Sequence, residues 1–196
     1  MGRKQSMKLV ETPYALVCDD DFIITNHTDI RLLMNVLQTT DISVVGGSKD
    51  HATNFEGVFR IMQNKDGAQL IHYPGVFYEE IMYGKCYVAD SVKNIFLAKK
   101  DAVISAGSWD SKRPYFEHTD LFLRLKVGGV RVAFCPDVIF KGNDQKHDSS
   151  LYNMRMKEFD YYNKLLAKSW GITHHITCGI DGYLSSHSCE KPKVHF

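Results

Sequence analysis

Residues Ala15 to Thr25 read ALVCDDDFIIT, an apolar run interrupted by three consecutive aspartates. The first part, Tyr14 to Cys18, has the composition of a short strand, which leaves Asp19, Asp20 and Asp21 at its C-terminal end. Three adjacent negative charges repel one another, so such a cluster is costly unless positive charge sits against it. In open α/β sheets the crevice beyond the C-terminal strand ends is where ligands are held. The triplet therefore reads as a ligand-binding turn, with a solvated turn and helix cap as the plainer alternative.

The residues that follow support a layered fold. In TDIRLLMNVLQTT the apolar residues Ile30, Leu33, Met34 and Leu37 recur at helical spacing, and Thr28 or Asp29 is placed to cap the helix. DISVVGG then reads as a second buried strand ending at its glycine pair. Strand, helix and strand in succession form a βαβ unit and predict an α/β sheet. From Phe55 to Tyr87 the pattern alternates, which predicts antiparallel strands turning at NKDG and YPG. VKNIFLAKKDAVISAGSWD reads as a strand and a short helix closed by Gly107. FEHTDLFLRLKVGG reads as a helix ended by Gly128 and Gly129, and VRVAFCPDVIF as one or two strands. After the polar loop KGNDQKHDSS, a long helix is expected from about Leu151 to Ser169. The domain is drawn at residues 1–170, with residues 171–196 as a loosely held tail, and residues 1 to 12 as a frayed or partial helix.

Bulk properties narrow the function. The formal net charge is +1 with no long basic run, which argues against a general nucleic-acid binder. No apolar stretch approaches the roughly 18 residues of a membrane span, and no signal peptide is recognisable. The five cysteines (Cys18, Cys86, Cys135, Cys178, Cys189) contain no CxxC pair, which disfavours structural zinc. Reduced thiols, or up to two disulfides with one thiol left over, both fit, and Cys18 is expected to be buried. Asn26-His27-Thr28 is an N-glycosylation sequon.

Strand alternation puts Asp19 and Asp21 on one side as a D-x-D pair, with Asp20 on the other, near a nucleotide or sugar. Hard oxygen ligands of this kind suit Mg²⁺ or Mn²⁺ bridging to phosphates. Glu117 and Asp120 stand three apart on one helix and share a face, so either could be a general base. Asp120 could equally pair with Arg124 four residues on. His147, flanked by Asp144 and Asp148, could complete a metal shell. Asp90 and Asn94 are polar residues in an apolar setting, available to a sugar hydroxyl, and Arg155, with Tyr152 and Lys157, to a phosphate. Phe77, Tyr78 and Tyr83 could wall a sugar site or simply pack.

Taken in order, CDDDF, ISVVGG, ADSVKNIFLAKKDAV and FEHTDLFLRLKVGGVRVAFCPDVIF resemble the GT-A glycosyltransferases. The closest likeness is to the animal β-1,4-N-acetylgalactosaminyltransferases of the ganglioside-synthase type, over roughly residues 2 to 178. The resemblance implies a mixed sheet flanked by helices, here without the family's usual first βαβ segment. It further implies inverting transfer of a hexose or N-acetylhexosamine from a UDP-sugar to a glycan hydroxyl. Mn²⁺ (or Mg²⁺) would be held chiefly by Asp21 with Asp19, and Asp120 would be the base with Glu117 its nearest competitor. In the family a metal-binding histidine closely follows the last strand, where this chain has KGND and His147 comes later. Cysteines at 86, 135 and 178 match family positions, which implies an oxidising setting such as the Golgi lumen. Two alternatives stand beside this reading: a non-catalytic GT-A-like domain binding a sugar or partner, and a haloacid-dehalogenase-type phosphatase with Asp19 as nucleophile and Asp21 as acid.

Overall fold

The structure is a computed structural model. It describes residues 2–52, 55–82, 84–110, 115–143 and 149–178, apart from the side chains of residues 64, 149–152, 154–156 and 174. Helix α1 (Gly2–Leu9) leads into β1 (Tyr14–Cys18), the aspartate turn, β2 (Phe22–Ile24), α2 (Ile30–Thr39) and β3 (Val44–Lys49). A hairpin follows, β4 (Gly57–Asn64) and β5 (Gly67–Pro74), then β6 (Glu80–Ile81), β7 (Cys86–Ala89), β8 (Ile95–Lys99) and α3 (Lys100–Ser105). The described chain closes with α4 (Glu117–Val127), β9 (Val132–Gly142), α5 (Ser149–Trp170) and β10 (Ile172–Thr177).

The larger sheet runs β1-β8-β3-β9-β7-β6, with β2 added to the far end of β9. Strands β3 and β9 are parallel, while β8 is antiparallel to both β1 and β3 and lies between them. The expected βαβ unit is therefore split: β1 and β3 run the same way but a later strand separates them. Strand alternation sorts the core onto two faces. Val44, Phe96, Ala98 and Phe134 point to the side that takes Leu121, Phe122 and Leu125 of α4. Val45, Ile95, Leu97 and Ala133 point to the side that takes Leu33, Val36 and Leu37 of α2. Each of those α2 side chains is fully buried, which stabilises the layer by about 1.5–3 kcal/mol apiece. Asp29 caps α2 by accepting from the backbone N–H of Arg31 and Leu32 at 3.0 and 3.2 Å. The architecture is the GT-A-like, helix-flanked mixed sheet that the sequence predicts.

Three expectations are corrected. Strand β3 does not end at its glycine pair but continues to Lys49. A Cβ on Gly46 would lie 2.6 Å from Val92 Cβ, and one on Gly47 2.5 Å from the Val138 carbonyl oxygen. The pair thus serves close packing at the bulge where β9 shifts register between Gly47 and Ser48. Second, GITHH does not begin a loosely held tail: β10 pairs in parallel with β5 and completes a smaller sheet, β10-β5-β4. Residues 179–196 lie outside the described residues. Third, Cys18 is an exposed free thiol, because it faces outward at the end of the edge strand β1. Cys86 and Cys135 form a disulfide between β7 and β9, and Cys178 is also disulfide-bonded. Among the described residues no helix is long and apolar enough to cross a membrane.

Candidate functional site

The C-terminal ends of β1, β3 and β9 and the start of β8 meet at one sheet edge, and the aspartate turn is fastened there. Asp19 N–H donates to the Asn94 carbonyl at 3.2 Å, and Asn143 N–H donates to the Asp21 carbonyl at 2.7 Å. The chain turns rather than extends at 20–21, so the alternation expected for an extended D-x-D does not apply. Each aspartate instead finds its own partners. Asp19 Oδ1 accepts from Arg3 Nη2 at 2.5 Å, and its Oδ2 accepts from Asn94 Nδ2 at 3.3 Å. Asp21 Oδ2 is 3.8 Å from Lys49 Nζ, which also sits 5.3 Å above the Phe22 ring. Asp20 is exposed.

Arg3 extends the cluster, donating from Nη1 to Glu117 Oε1 at 2.8 Å. Glu117 opens α4, so the structure brings the first acidic residue of that helix to the aspartate turn. Burial pushes the Glu117 carboxyl above its usual range; the negative charge of Asp19 adds to this and Arg3 opposes it. A carboxyl raised in this way is suited to proton transfer near neutral pH. Asp120 has a different environment. It is 5% exposed; its Oδ2 accepts from Arg124 Nε and Nη2 at 3.1 and 2.9 Å, and its Oδ1 from Trp170 Nε1 at 2.9 Å. Arg124 also donates to the Ala106 and Ser108 carbonyls, tying the loop after α3 to α4. A cavity of about 400 Å³ adjoins this network, lined by Lys4, Gly107, Asp110, Asp120, Arg124 and Trp170 among others.

The other sequence candidates divide. Asn94 hydrogen-bonds to the turn through Asp19, and its buried Oδ1 has no hydrogen-bond partner among the described residues. Asp90 does not join the turn's hydrogen bonds: it accepts from Phe59 N–H at 2.8 Å, Tyr78 Oη at 2.6 Å and Lys126 Nζ at 2.7 Å, linking the small sheet to α4. Phe77 stacks on Tyr87 and Phe134, which is packing. His147 and Tyr83 lie outside the described residues, as does the side chain of Arg155, whose backbone is part of α5.

The residues that sequence reasoning missed are the cations. Arg3 belongs to a segment expected as a frayed or partial helix, and Lys49 follows the glycine pair expected to end its strand. A lysine closing a strand beside the aspartate turn was the available signal. Nearby, Glu56 is fully buried, its Oε1 without a hydrogen-bond partner among the described residues, and burial pushes its carboxyl up while Lys93 opposes the shift.

A divalent cation is implied by the resemblance, and the residues fit one in charge and donor type. The turn already holds two positive groups, Arg3 on Asp19 and Lys49 on Asp21, as stand-ins. Among the described residues no group of three or more His, Cys, Asp or Glu side chains assembles that could hold a metal ion.

No family model matches the chain. It is 33% identical over 144 residues to human β-1,4 N-acetylgalactosaminyltransferase 1, covering 70% of this chain and 27% of that protein. It is 33% identical over 140 residues to mouse β-1,4 N-acetylgalactosaminyltransferase 2, covering 70% and 26%. The chain belongs to the β-1,4 N-acetylgalactosaminyltransferase family. It spans about a quarter of the length of these relatives.

Proposed function

We propose that the chain carries the metal–diphosphate and general-base part of an inverting glycosyltransferase. The reaction moves an N-acetylhexosamine or hexose from a UDP-sugar to a hydroxyl of a glycan or glycoconjugate. One observation carries the reading: a single guanidinium joins Asp19, in the aspartate turn, to Glu117, at the start of α4. Asp19 and Asp21 would hold Mn²⁺ or Mg²⁺, which when bound would neutralise charge on the departing diphosphate. Lys49, beside Asp21, adds positive charge to the same edge. Glu117 accepts the proton of the acceptor hydroxyl as its oxygen bonds to the sugar C1. The C1–phosphate oxygen bond breaks, and UDP leaves from the opposite face. Both oxygens of Asp120 are held, by Arg124 and Trp170, whereas Arg3 holds Glu117 through Oε1, so Glu117 is preferred as the base. The Cys86–Cys135 disulfide supports an oxidising compartment.

The test is calorimetric titration of UDP into the chain with Mn²⁺ and again with EDTA, followed by transfer and hydrolysis assays with UDP-hexosamines and UDP-hexoses. Metal-dependent UDP binding is expected. Absence of UDP binding in both conditions would leave a GT-A-like domain that binds no donor.

A further inference from the structure

Asp19 Oδ1 accepts from Arg3 at 2.5 Å and Oδ2 from Asn94 at 3.3 Å, so a cation bound at Asp19 sits beside the Arg3 guanidinium. We propose that Arg3 is the internal counter-cation of this site. It holds Asp19 and Glu117 together when no nucleotide-bound cation is present, and it leaves Asp19 when one binds. The inference rests on Asp19 being a metal ligand, as proposed above.

The physical argument has three parts. A guanidinium and a divalent cation held on one carboxylate repel each other at short range. Metal at Asp19 and Arg3 on Asp19 therefore oppose one another. Next, Arg3 is able to withdraw. Its side chain is 38% exposed, and α1 is anchored to the core through Met7, not through Arg3. The arginine arm can swing without dislodging its helix. Last, the planar fork that spans two carboxylates matches phosphate oxygens equally well. Once displaced, Arg3 has a new partner within the same site, the diphosphate that arrives with the metal. In the nucleotide-free chain Arg3 thus weakens metal binding, and in the loaded chain it contributes to donor binding.

The test titrates Mn²⁺ alone into the wild-type chain, Arg3→Gln, Arg3→Lys and Asp21→Asn, following free Mn²⁺ by electron paramagnetic resonance. Arg3→Gln is expected to bind Mn²⁺ roughly tenfold tighter than wild type, and Arg3→Lys to return towards the wild-type value. With UDP added, the advantage of Arg3→Gln should vanish. A second measurement needs no variant: in the wild-type chain, Mg²⁺ with UDP should shift the Arg3 guanidinium signals in side-chain NMR. Equal Mn²⁺ affinity in wild type and Arg3→Gln, lost in Asp21→Asn, would overturn the counter-cation role and leave the metal site standing. No Mn²⁺ binding by any variant would overturn both.

Discussion

Trp170, in the last turn of α5, donates its indole N–H to Asp120 Oδ1 at 2.9 Å, while Arg124 holds Oδ2 from within α4. Asp120 therefore ties two helices together and, through Arg124, the loop at Ala106 to Ser108. A carboxylate with this many donors is a structural node, and losing it strands a largely buried arginine. Asp120→Asn is expected to cost about 2–4 kcal/mol of stability, with UDP affinity preserved. Urea denaturation and calorimetry check this; full stability with abolished turnover would return Asp120 to the role of base.

Glu117→Gln should behave in the opposite way. Transfer is expected to fall by roughly 10²–10⁴-fold while Mn²⁺ and UDP binding persist. Because the folded carboxyl is raised above its unfolded value, its contribution to stability is complete below the unfolded pKa and is lost as pH rises through the folded one. At neutral pH the wild-type carboxylate is therefore a strain on the fold, and Glu117→Gln should melt no lower than wild type. Turnover of the wild type should rise with pH as Glu117 loses its proton. A pH-rate profile and paired melting curves test both statements.

Acid sensitivity has a separate source. Burial holds His72 down to about 3, and His118 and His175 down to about 4. Depressed histidines favour the fold fully above their unfolded value near 6.5. That stability drains as pH falls towards 4, by up to about 1.4 kcal/mol per pH unit for each group. Denaturant midpoints measured from pH 7 to 4 should drop steeply, and His72→Gln should flatten the slope. An unchanged slope would show that His72 is not among the groups responsible.

The Cys86–Cys135 bridge closes a loop of sequence separation 49. By chain entropy it stabilises the fold by on the order of 4 kcal/mol, and commonly somewhat less in practice. The paired change Cys86→Ser with Cys135→Ser should therefore lower the denaturation midpoint substantially in the absence of reductant. It isolates this bridge from the one involving Cys178.

Local signals in the sequence were sufficient for most elements. The 3.6-residue spacing of α2, the alternation flanking NKDG and the glycines after α4 each encode a short-range preference, and each element is where that preference places it. Partners distant in sequence were another matter. Glu117 and Asp120 share a helix face by spacing, yet one meets α1 and the other the end of α5, and no local pattern encodes where those helices lie. The turn defeated strand alternation for the same reason: Asp19 and Asp21 are oriented by Arg3, Asn94 and Lys49, from three separate segments. Strand β10 was illegible because ITHHIT is polar and histidine-rich, and it is identified as a strand only by its pairing with β5.

That pairing bears on how the chain is made. β5 at residues 67–74 must wait for β10 at residues 172–177, about a hundred residues later in synthesis. At ribosomal rates of roughly 5–20 residues per second, one edge of the hairpin stays open for about 5–20 seconds. During that interval Leu70 and Ile71 lie on an unpaired strand edge, an invitation to pair with another chain. The nascent protein is thus most in need of a chaperone in the window between translation of the hairpin and release of β10.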